Sequence, residues 1–128
     1  MRYYFAPMEG VTGAVYRRTH HDYFPGIDKY FMPFITPTAN GRLTPRQKRD
    51  VAPEVNAGVP AVPQLLTKSA EDFIWAANAL FDMGYREVNL NLGCPSGTVT
   101  AKGKGAGFLG DPDALDRFLD AVFSACRG

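Results

Sequence analysis

The chain is organised around the stretch Asn89-Leu90-Asn91-Leu92-Gly93-Cys94-Pro95-Ser96-Gly97. This stretch follows a short apolar run and precedes a loop that is rich in Gly and Lys. A short apolar run that ends in such a loop is typical of a buried strand. The thiol of Cys94 therefore lies close to two amides, those of Asn89 and Asn91, at the end of a predicted strand. A barrel enzyme places its chemistry at such a position.

The composition is that of a globular protein. The 128 residues suffice for one domain with one core, and 45% of them are hydrophobic, which argues against a disordered chain. The net charge of +1 predicts no nucleic-acid partner, so any attraction to phosphate has to come from local patches. Two cysteines, Cys94 and Cys126, do not suggest a disulfide framework, and we expect a cytoplasmic location. We expect no signal peptide and no membrane span, because no apolar run approaches the ~20 residues of a span.

Four apolar runs predict four strands, at residues 2–6, 29–35, 60–66 and 85–91. Such runs are typical of strands that are buried on both faces, as in a parallel sheet. Pro33 argues against a regular second strand, because proline has no N–H to donate. Gln64 is unusual in the third strand, since an unpaired buried amide is costly. Its amide either bonds to a neighbouring loop or faces a ligand.

Helical segments are predicted after the strands. Thr12 is the expected N-cap of a helix through about Asp22, and a short helix is expected near residues 45–50. Ser69 and Gly84 suit the cap and the stop of a third helix. The apolar stripe of that helix comprises Phe73, Ile74, Ala77, Leu80 and Phe81.

The last helix is predicted after a long loop over residues 93–110. Asp111 is its expected N-cap, Pro112 its first residue, and Arg127-Gly128 its stop. One helical stripe contains Leu115, Phe118, Leu119, Val122, Phe123 and Cys126. We therefore expect Cys126 to be a small core residue.

Strand and helix alternate four times, which predicts an α/β fold with parallel strands and right-handed crossovers. Four βα units form either a small doubly wound sheet or half of a (β/α)8 TIM barrel. A complete barrel takes ~250 residues, about twice the length of this chain.

The chain resembles the tRNA-dihydrouridine synthases, which are FMN enzymes built on a (β/α)8 barrel. The resemblance rests on motifs in order, and no single motif would be specific. They are Ala6-Pro7-Met8-Glu9-Gly10-Val11-Thr12, Pro63-Gln64-Leu65, Asn89-Leu90-Asn91-Leu92-Gly93-Cys94-Pro95 and Lys102-Gly103-Lys104-Gly105-Ala106-Gly107-Phe108-Leu109. The resemblance covers nearly the whole chain but only the N-terminal half of the family's barrel.

The resemblance implies an activity and a catalytic residue. The family reduces the 5,6 double bond of uridine in tRNA. NADPH reduces FMN, the flavin passes a hydride to carbon 6, and a cysteine gives a proton to carbon 5. Cys94 is implied as this general acid, and a thiol is a proton donor at neutral pH. The alternative from composition alone is a buried, inert cysteine.

The resemblance also implies binding roles for residues at the strand ends. Asn91 would hold the uracil edge, although an Asn here could equally form a turn. Gln64 would contact the flavin ring. Pro7, Met8 and Glu9 would lie along the flavin, mostly through backbone atoms; the alternative is a plain connecting loop.

Basic residues near the strand ends are candidates for contacts with tRNA phosphates. Lys102, Lys104 and Arg46 are predicted to bind substrate, and further basic residues near Arg46 are Arg42, Lys48 and Arg49. The alternative is a solvated charged face. His20 and His21 match no family role and are expected at the surface or in helix packing. No metal site is predicted.

We expect residues 1–128 to form a truncated domain, the N-terminal half of an FMN-binding TIM barrel. The C-terminal half-barrel and the family's helical tRNA-binding domain are absent from it. In the family that the chain resembles, the flavin phosphate is held by the C-terminal half of the barrel, so we expect weak FMN binding and negligible turnover by this chain alone. Exposed sheet edges predict self-association.

Two other functions remain open from the sequence. One is another FMN-dependent TIM-barrel oxidoreductase, acting on a free pyrimidine or a small enone. The other is a non-catalytic half-barrel that serves as a binding or assembly module.

Overall fold

Short strands alternate with helices in the computed structural model, which describes residues 1–38 and 41–126. The strands are β1 (Tyr4–Phe5), β2 (Lys29–Phe31), β3 (Ala61–Val62), β4 (Gln64–Leu65) and β5 (Asn89–Leu90). The α helices are α1 (Ala14–Tyr23), α2 (Pro45–Val51), α3 (Ala70–Asp82), α4 (Gly97–Thr100) and α5 (Pro112–Ala125). A 3₁₀ helix spans Gly105–Gly110. The predicted stop at Arg127-Gly128 lies outside the described residues.

Every strand pair in the described part of the chain is parallel, which confirms an α/β fold with parallel strands. β1, β2 and β3 form one sheet in that order, and β4 pairs with β5. A parallel bridge between Ile35 and Leu65 continues the pairing of the second apolar run with the third. Each apolar run therefore lies beside the next run along the chain.

A proline explains why the third strand is interrupted. Residues 60–66 were predicted as one strand, but Pro63 divides the run into β3 and β4 because it has no N–H to donate. Beyond the break, Ile35 N donates to Gln64 O at 2.8 Å. The carbonyl of Pro63 accepts from Asn89 N at 2.9 Å. The third run is therefore bonded to a neighbour on each side.

The start of α1 differs from the prediction. Thr12 does not cap the helix: its Oγ1 accepts from Met8 N at 2.8 Å and donates to Met8 O at 3.2 Å. The N-cap is Gly13, which has no side chain to offer. Asp50, on α2, takes over the capping, and its Oδ1 accepts from Ala14 N at 2.9 Å. A long-range acceptor replaces the local one because Thr12 is already bonded within the preceding loop.

The helix ends predicted at Ser69, Gly84 and Asp111 are confirmed. The hydroxyl of Ser69 accepts from Asp72 N at 3.2 Å, and the carboxylate of Asp111 accepts from Ala114 N at 3.0 Å. Gly84 follows the C-cap of α3 with φ of +101°, a conformation that glycine adopts without strain.

The two long connections, after the second and the fourth apolar runs, also contain helices. The short helix predicted near residues 45–50 is α2, where Thr44 and Gln47 form a reciprocal capping box. The segment over residues 93–110 was predicted as one long loop, but it contains α4 and the 3₁₀ helix.

The core lies between the strands, α3 and α5. Its buried members include Met32, Ile35, Leu65, Phe73, Ala77, Leu80, Phe108, Phe118 and Val122. Cys126 is partly buried and packs against this cluster, as expected. Phe123 was predicted on the same stripe but is 82% exposed, because the covered face of α5 is narrower than the sequence stripe. Within the described residues, even the longest helices lack the length and apolar character of a membrane span.

Candidate functional site

Three of the residues that the sequence singled out, Gln64, Asn91 and Cys94, lie together on β4 and directly after β5. Gln64 opens β4 and Asn89 opens β5, and the two are register partners. Asn91 and Cys94 follow β5 directly. Because β4 and β5 are parallel, their carboxyl ends lie at the same edge, and the segment from Asn91 to Cys94 leaves the sheet there.

Three side-chain amides form a continuous hydrogen-bonded series, which we call the amide chain: Asn89, Gln64 and Asn91. Gln64 Nε2 donates to Asn89 Oδ1 at 2.8 Å, and Asn91 Nδ2 donates to Gln64 Oε1 at 2.8 Å. Asn91 Oδ1 accepts from Gly93 N at 3.1 Å and from Cys94 N at 2.9 Å. These two backbone donors fix which atom of Asn91 is oxygen. The orientation of the other two amides follows from that choice.

The amide chain resolves the question of how Gln64 is tolerated in a strand. Gln64 is only 7% exposed, and both of its polar atoms are bonded to asparagine side chains. The alternative role considered for Asn91 was to form a turn. Its side-chain oxygen does so here, because it accepts hydrogen bonds from the backbone amides of Gly93 and Cys94. An amide nitrogen carries two hydrogens. One N–H on Gln64 and one on Asn91 make no hydrogen bond within the part of the chain that the structure describes.

Cys94 is half-buried, and the glycine-rich segment after it is packed against its backbone. Gly105 has φ of +56°, and a Cβ at this position would lie 2.7 Å from Cys94 O and 3.1 Å from Cys94 Cβ. Ala106 N donates to Cys94 O at 3.1 Å. Gly107 is equally restricted, since a Cβ there would lie 2.6 Å from Thr100 O. The absence of a side chain at Gly105 thus allows the start of the 3₁₀ helix to pack closely against the backbone of Cys94.

The loop after β1 presents side chains more than backbone groups. Met8 O accepts from Val11 N at 3.1 Å and from Thr12 N at 3.0 Å, and Met8 N is bonded to Thr12 Oγ1. Both main-chain polar groups of Met8 are therefore engaged inside the loop. Its side chain is 62% exposed, and Glu9 is exposed beside it. The predicted flavin contact of Pro7, Met8 and Glu9 stays a prediction, with the Met8 side chain as the accessible group.

A buried ionic network, which the sequence did not reveal, holds this loop to α2. Arg17 is fully buried, and its guanidinium donates to Thr12 O at 3.0 Å and to Asp50 O at 3.0 Å. Its Nη2 also lies 3.3 Å from Asp50 Oδ1 and 2.9 Å from Asn56 Oδ1. We call Arg17, Asp50 and Asn56, with Tyr85, the arginine network. Arg17-Arg18 in sequence is indistinguishable from a solvated basic pair, so no local signal marks it.

Tyr85 connects the arginine network to the segment before β5. Its hydroxyl donates to Val51 O at 2.7 Å and accepts weakly from Asn56 Nδ2 at 3.5 Å. Burial raises the pKa of the Tyr85 phenol above its ordinary value of 10.0, and the nearby Arg17 guanidinium opposes that rise. The network therefore joins four segments: the loop after β1, α1, α2 and the approach to β5.

The predicted RNA-contacting residues fall into two places. Arg46 lines a groove between α1 and α2, which we call the α1–α2 groove, and Glu9 lines it too. Lys102 and Lys104 do not line this groove; they flank Gly103, near the ammonium of Lys68. Gln64, Asn91 and Cys94 also lie outside the groove lining. The structure thus brings Gln64, Asn91 and Cys94 together and Glu9 and Arg46 together, as two separate groups.

The histidines of α1 have packing roles, as expected. His20 Nδ1 lies 2.9 Å from the hydroxyl of Tyr30, and its ring packs against Phe5 at 4.7 Å between centroids. His21 meets the Tyr30 ring edge-on at 5.7 Å. Burial raises the pKa of the Tyr30 phenol.

Comparison with known proteins gives a consistent result. The family model for dihydrouridine synthase (Dus) matches residues 4–127. A protein of Rhodobacter capsulatus named "Probable tRNA-dihydrouridine synthase" is 31% identical over 94% of this chain. Proteins of the same name from Staphylococcus epidermidis and Staphylococcus aureus are 29% and 28% identical over 91% of it. The chain spans only 36% of the length of each of these relatives.

Proposed function

Because the chain belongs to the dihydrouridine synthase family, a family of oxidoreductases, we propose that it forms part of an enzyme that reduces the 5,6 double bond of uridine in tRNA. The observation that carries the proposal is the amide chain. It places the Cys94 turn at the edge where β4 and β5 end, with two spare N–H donors beside it.

Residues 1–128 are proposed to be the N-terminal half of a (β/α)8 barrel. The four apolar runs lie side by side in chain order, all parallel, and helices occur in the connections between them. This is the arrangement of consecutive barrel strands, and a barrel places its chemistry at their carboxyl ends. The carboxyl end of β5 carries Cys94.

The residues at this edge fit an FMN ring. Gln64 is nearly buried and has one N–H without a hydrogen bond in the described residues, for which the carbonyl and ring-nitrogen atoms of a flavin are suitable acceptors. The exposed Met8 side chain supplies an apolar surface from the loop after β1. FMN, reduced by NADPH, would supply the hydride that reaches carbon 6 of uracil.

Cys94 is proposed as the proton donor. When a hydride has been added to carbon 6, negative charge develops at carbon 5 and on the oxygen of carbon 4. The thiol gives its proton to carbon 5 and is left as a thiolate, which solvent reprotonates. The bond between carbons 5 and 6 is then single, and one hydride and one proton have been added.

Asn91 is proposed to bind a uracil carbonyl. Its oxygen already accepts two backbone N–H groups, so it has only an N–H to offer. A donor cannot pair with the N–H at position 3 of uracil, but it can pair with the oxygen on carbon 4. That oxygen gains charge in the transition state, so the bond would strengthen as the hydride arrives.

Phosphate contacts are proposed for Arg46, Lys102 and Lys104. Arg46 and Lys102 are exposed, and Lys104 is half-exposed. Contacts of this kind give affinity without sequence choice and weaken as salt rises. Charge reversal at Arg46 and Lys104 should therefore lower tRNA affinity and flatten its salt dependence.

The decisive experiment is Cys94→Ala in an active enzyme that contains this segment. Because we expect negligible turnover by the 128 residues alone, the segment is expressed in place of the matching part of the R. capsulatus relative. Dihydrouridine in tRNA is then measured by mass spectrometry. We expect Cys94→Ala to lower the rate by about 100-fold or more, as loss of a general acid does. Cys126→Ala is the matched control and should leave the rate unchanged. Full activity of Cys94→Ala would refute the proposal.

The isolated chain is proposed to bind FMN weakly and to self-associate. Within the described residues, β1 pairs only with β2 and β5 only with β4, so each of these two strands has an unpaired edge. Tyr3 and Tyr4 add exposed aromatic surface at one of them. Sedimentation over a range of concentrations tests self-association, and a single monomer mass throughout would contradict it. A stoichiometric flavin spectrum after purification would contradict weak FMN binding.

A further inference from the structure

The α1–α2 groove has the size of a ligand site. Its volume is about 860 Å³, and it is lined by the loop after β1, by α1, by the segment after β2 and by α2. Sites for small molecules occupy roughly 300–1,000 Å³. Gln64, Asn91 and Cys94 do not line it, so the groove is separate from the candidate uracil site.

The groove has an excess of positive charge. Arg18, Arg46 and Arg49 line it, against Glu9 and Asp50. Asp50 is already compensated, because it is paired with the buried Arg17 and accepts from Ala14 N.

Two of the three lining arginines are unpaired. Arg18 donates to Ala57 O at one end of the groove. No hydrogen bond or ion pair engages Arg46 or Arg49 within residues 1–38 and 41–126. These two side chains are three residues apart on α2 and therefore lie on the same face of the helix. Two adjacent unpaired guanidinium groups are suited to a phosphate.

The walls of the groove are held in place before any ligand binds. The arginine network ties α1 to α2 through Arg17 and Asp50. The Thr44–Gln47 capping box fixes the start of α2, and Gln47 Nε2 reaches Thr36 O at 3.3 Å. A preformed site costs less ordering on binding.

Apolar and aromatic side chains line the rest of the groove. Val15 is 82% exposed and Val55 is 41% exposed, and Tyr16 and Phe34 add two aromatic rings. Exposed apolar groups beside unpaired guanidiniums are complementary to a planar ring attached to a phosphate.

We propose that the α1–α2 groove binds one nucleotide, with its phosphate on Arg46 and Arg49 and its base against the apolar wall. We assign the nucleotide to an RNA strand, next to the uridine that is reduced, because Glu9 and Gly10 of the candidate flavin loop form one border of the groove. The assignment of this nucleotide to RNA rests on the proposed function. The proposal that the groove binds a nucleotide does not depend on that function.

The probe is uridine monophosphate, titrated into the full chain and followed by two-dimensional NMR. The test variant is Arg46→Gln with Arg49→Gln. The matched control is Arg86→Gln with Arg117→Gln, which removes the same charge from exposed positions outside the groove lining. We expect saturable binding, with shifts in the groove residues. The affinity should fall at least about tenfold in the test variant and less than about twofold in the control.

Three further results bear on the ligand. Uridine without phosphate should bind at least about tenfold more weakly than the monophosphate, because the guanidiniums then have no anion. A short single-stranded RNA should displace the monophosphate. The proposed nucleotide site would be overturned if uridine monophosphate showed no saturable binding, or if both double variants lost the same amount of affinity for it. Binding of the mononucleotide without displacement by RNA would overturn the RNA assignment. The Cys94→Ala result is independent of all these outcomes, so failure of the site and failure of the proposed function can be told apart.

Discussion

The Cys94 turn and the loop after β1 are held by different kinds of interaction. The turn is bonded to Asn91, three residues away, and its backbone is packed against Gly105. The loop after β1 is held by Arg17, whose own position depends on Asp50, 33 residues further along. The first region is built mainly from neutral hydrogen bonds and close backbone approach, the second from a buried ion pair. The Cys94 turn therefore depends mainly on residues near it in sequence, whereas the loop after β1 depends on the packing of α1 against α2.

The largest effect is expected in the second region. Arg17→Met should lower the free energy of unfolding by about 3–5 kcal/mol, because it leaves Asp50 and several buried oxygens without their donor. Urea unfolding measures the change. Arg17→Lys should recover little of it, since one ammonium cannot reach the acceptors that the guanidinium fork reaches. Arg86→Met, at an exposed position, is the control. An unchanged midpoint for Arg17→Met would show that docking of α1 does not depend on this network.

At the Cys94 turn, the close packing of Gly105 against the backbone of Cys94 can be tested by substitution. Gly105→Ala should cost about 1–3 kcal/mol, because its Cβ would meet Cys94 O at 2.7 Å in a left-handed backbone conformation. Gly10 has a positive φ, but a Cβ there would have no neighbour within 4 Å. Gly110 has neither a positive φ nor a neighbour within 4 Å of a Cβ. Gly10→Ala and Gly110→Ala are therefore the two controls. The three variants therefore separate contact from backbone strain. Labelling of the Cys94 thiol, in a Cys126→Ser background, should accelerate only in Gly105→Ala. Equal labelling rates in all three would contradict the role of the glycine.

A smaller effect is expected from breaking the amide chain. Asn91→Ala should cost about 1–2 kcal/mol, because the amides of Gly93 and Cys94 and the oxygen of Gln64 lose a partner. Hydrogen exchange at Cys94 N should accelerate.

Asn91→Asp sharpens the same test. The carboxylate of Asp can still accept from the backbone amides of Gly93 and Cys94. It places a second acceptor against the side-chain oxygen of Gln64, and these two oxygens repel each other. The amide of Gln64 should rotate to donate, which NMR of its side-chain N–H₂ group detects. Loss of the turn in Asn91→Asp would mean that the bonds to the amides of Gly93 and Cys94 do not set the orientation of the side chain at position 91.

The smallest effect concerns Tyr85 and pH. Tyr85→Phe removes one hydrogen bond to Val51 O and should cost about 1 kcal/mol at neutral pH. Its phenol pKa is raised by burial, so the folded state binds more protons than the unfolded state above pH 10.0. The stability of the unmodified chain should therefore fall as pH rises from 10.0 through the folded-state pKa.

That pH dependence has a specific control. Tyr85→Phe should show a shallower loss of stability at alkaline pH, since it has no phenol at this position. Tyr23→Phe, at a residue that is 76% exposed, should behave like the unmodified chain. Thermal melts over this pH range make the comparison. Identical curves for all three chains would show that Tyr85 does not titrate with unfolding.

Features that depend on neighbours in sequence were predictable. The caps at Ser69 and Asp111 and the stop at Gly84 were correct, because each depends on groups within a few residues. The expected cap at Thr12 was wrong because a competing local bond to Met8 takes its hydroxyl. The helices inside residues 93–110 were missed because glycine signals a flexible loop and also permits the tightest packing.

Within the candidate site, the sequence identified the residues but not their bonds. Gln64 and Asn91 stood out as amides near a strand end, and the resemblance supplied their implied roles. Their mutual hydrogen bond joins residues 27 positions apart, and it needs β4 and β5 in register. Arg17 gave no signal, because its sequence neighbours are those of a solvated helix.

The sequence alone determined the α/β class, the parallel runs, most helix ends and the position of Cys94 after a strand. These follow from periodicity and from contacts a few residues long, which a linear pattern records. Tertiary structure alone decided that Arg17 is buried, that Phe123 is exposed, and that the amides of Asn89, Gln64 and Asn91 form one oriented series. Burial and hydrogen-bond partners depend on which surfaces meet, and only the folded chain sets that.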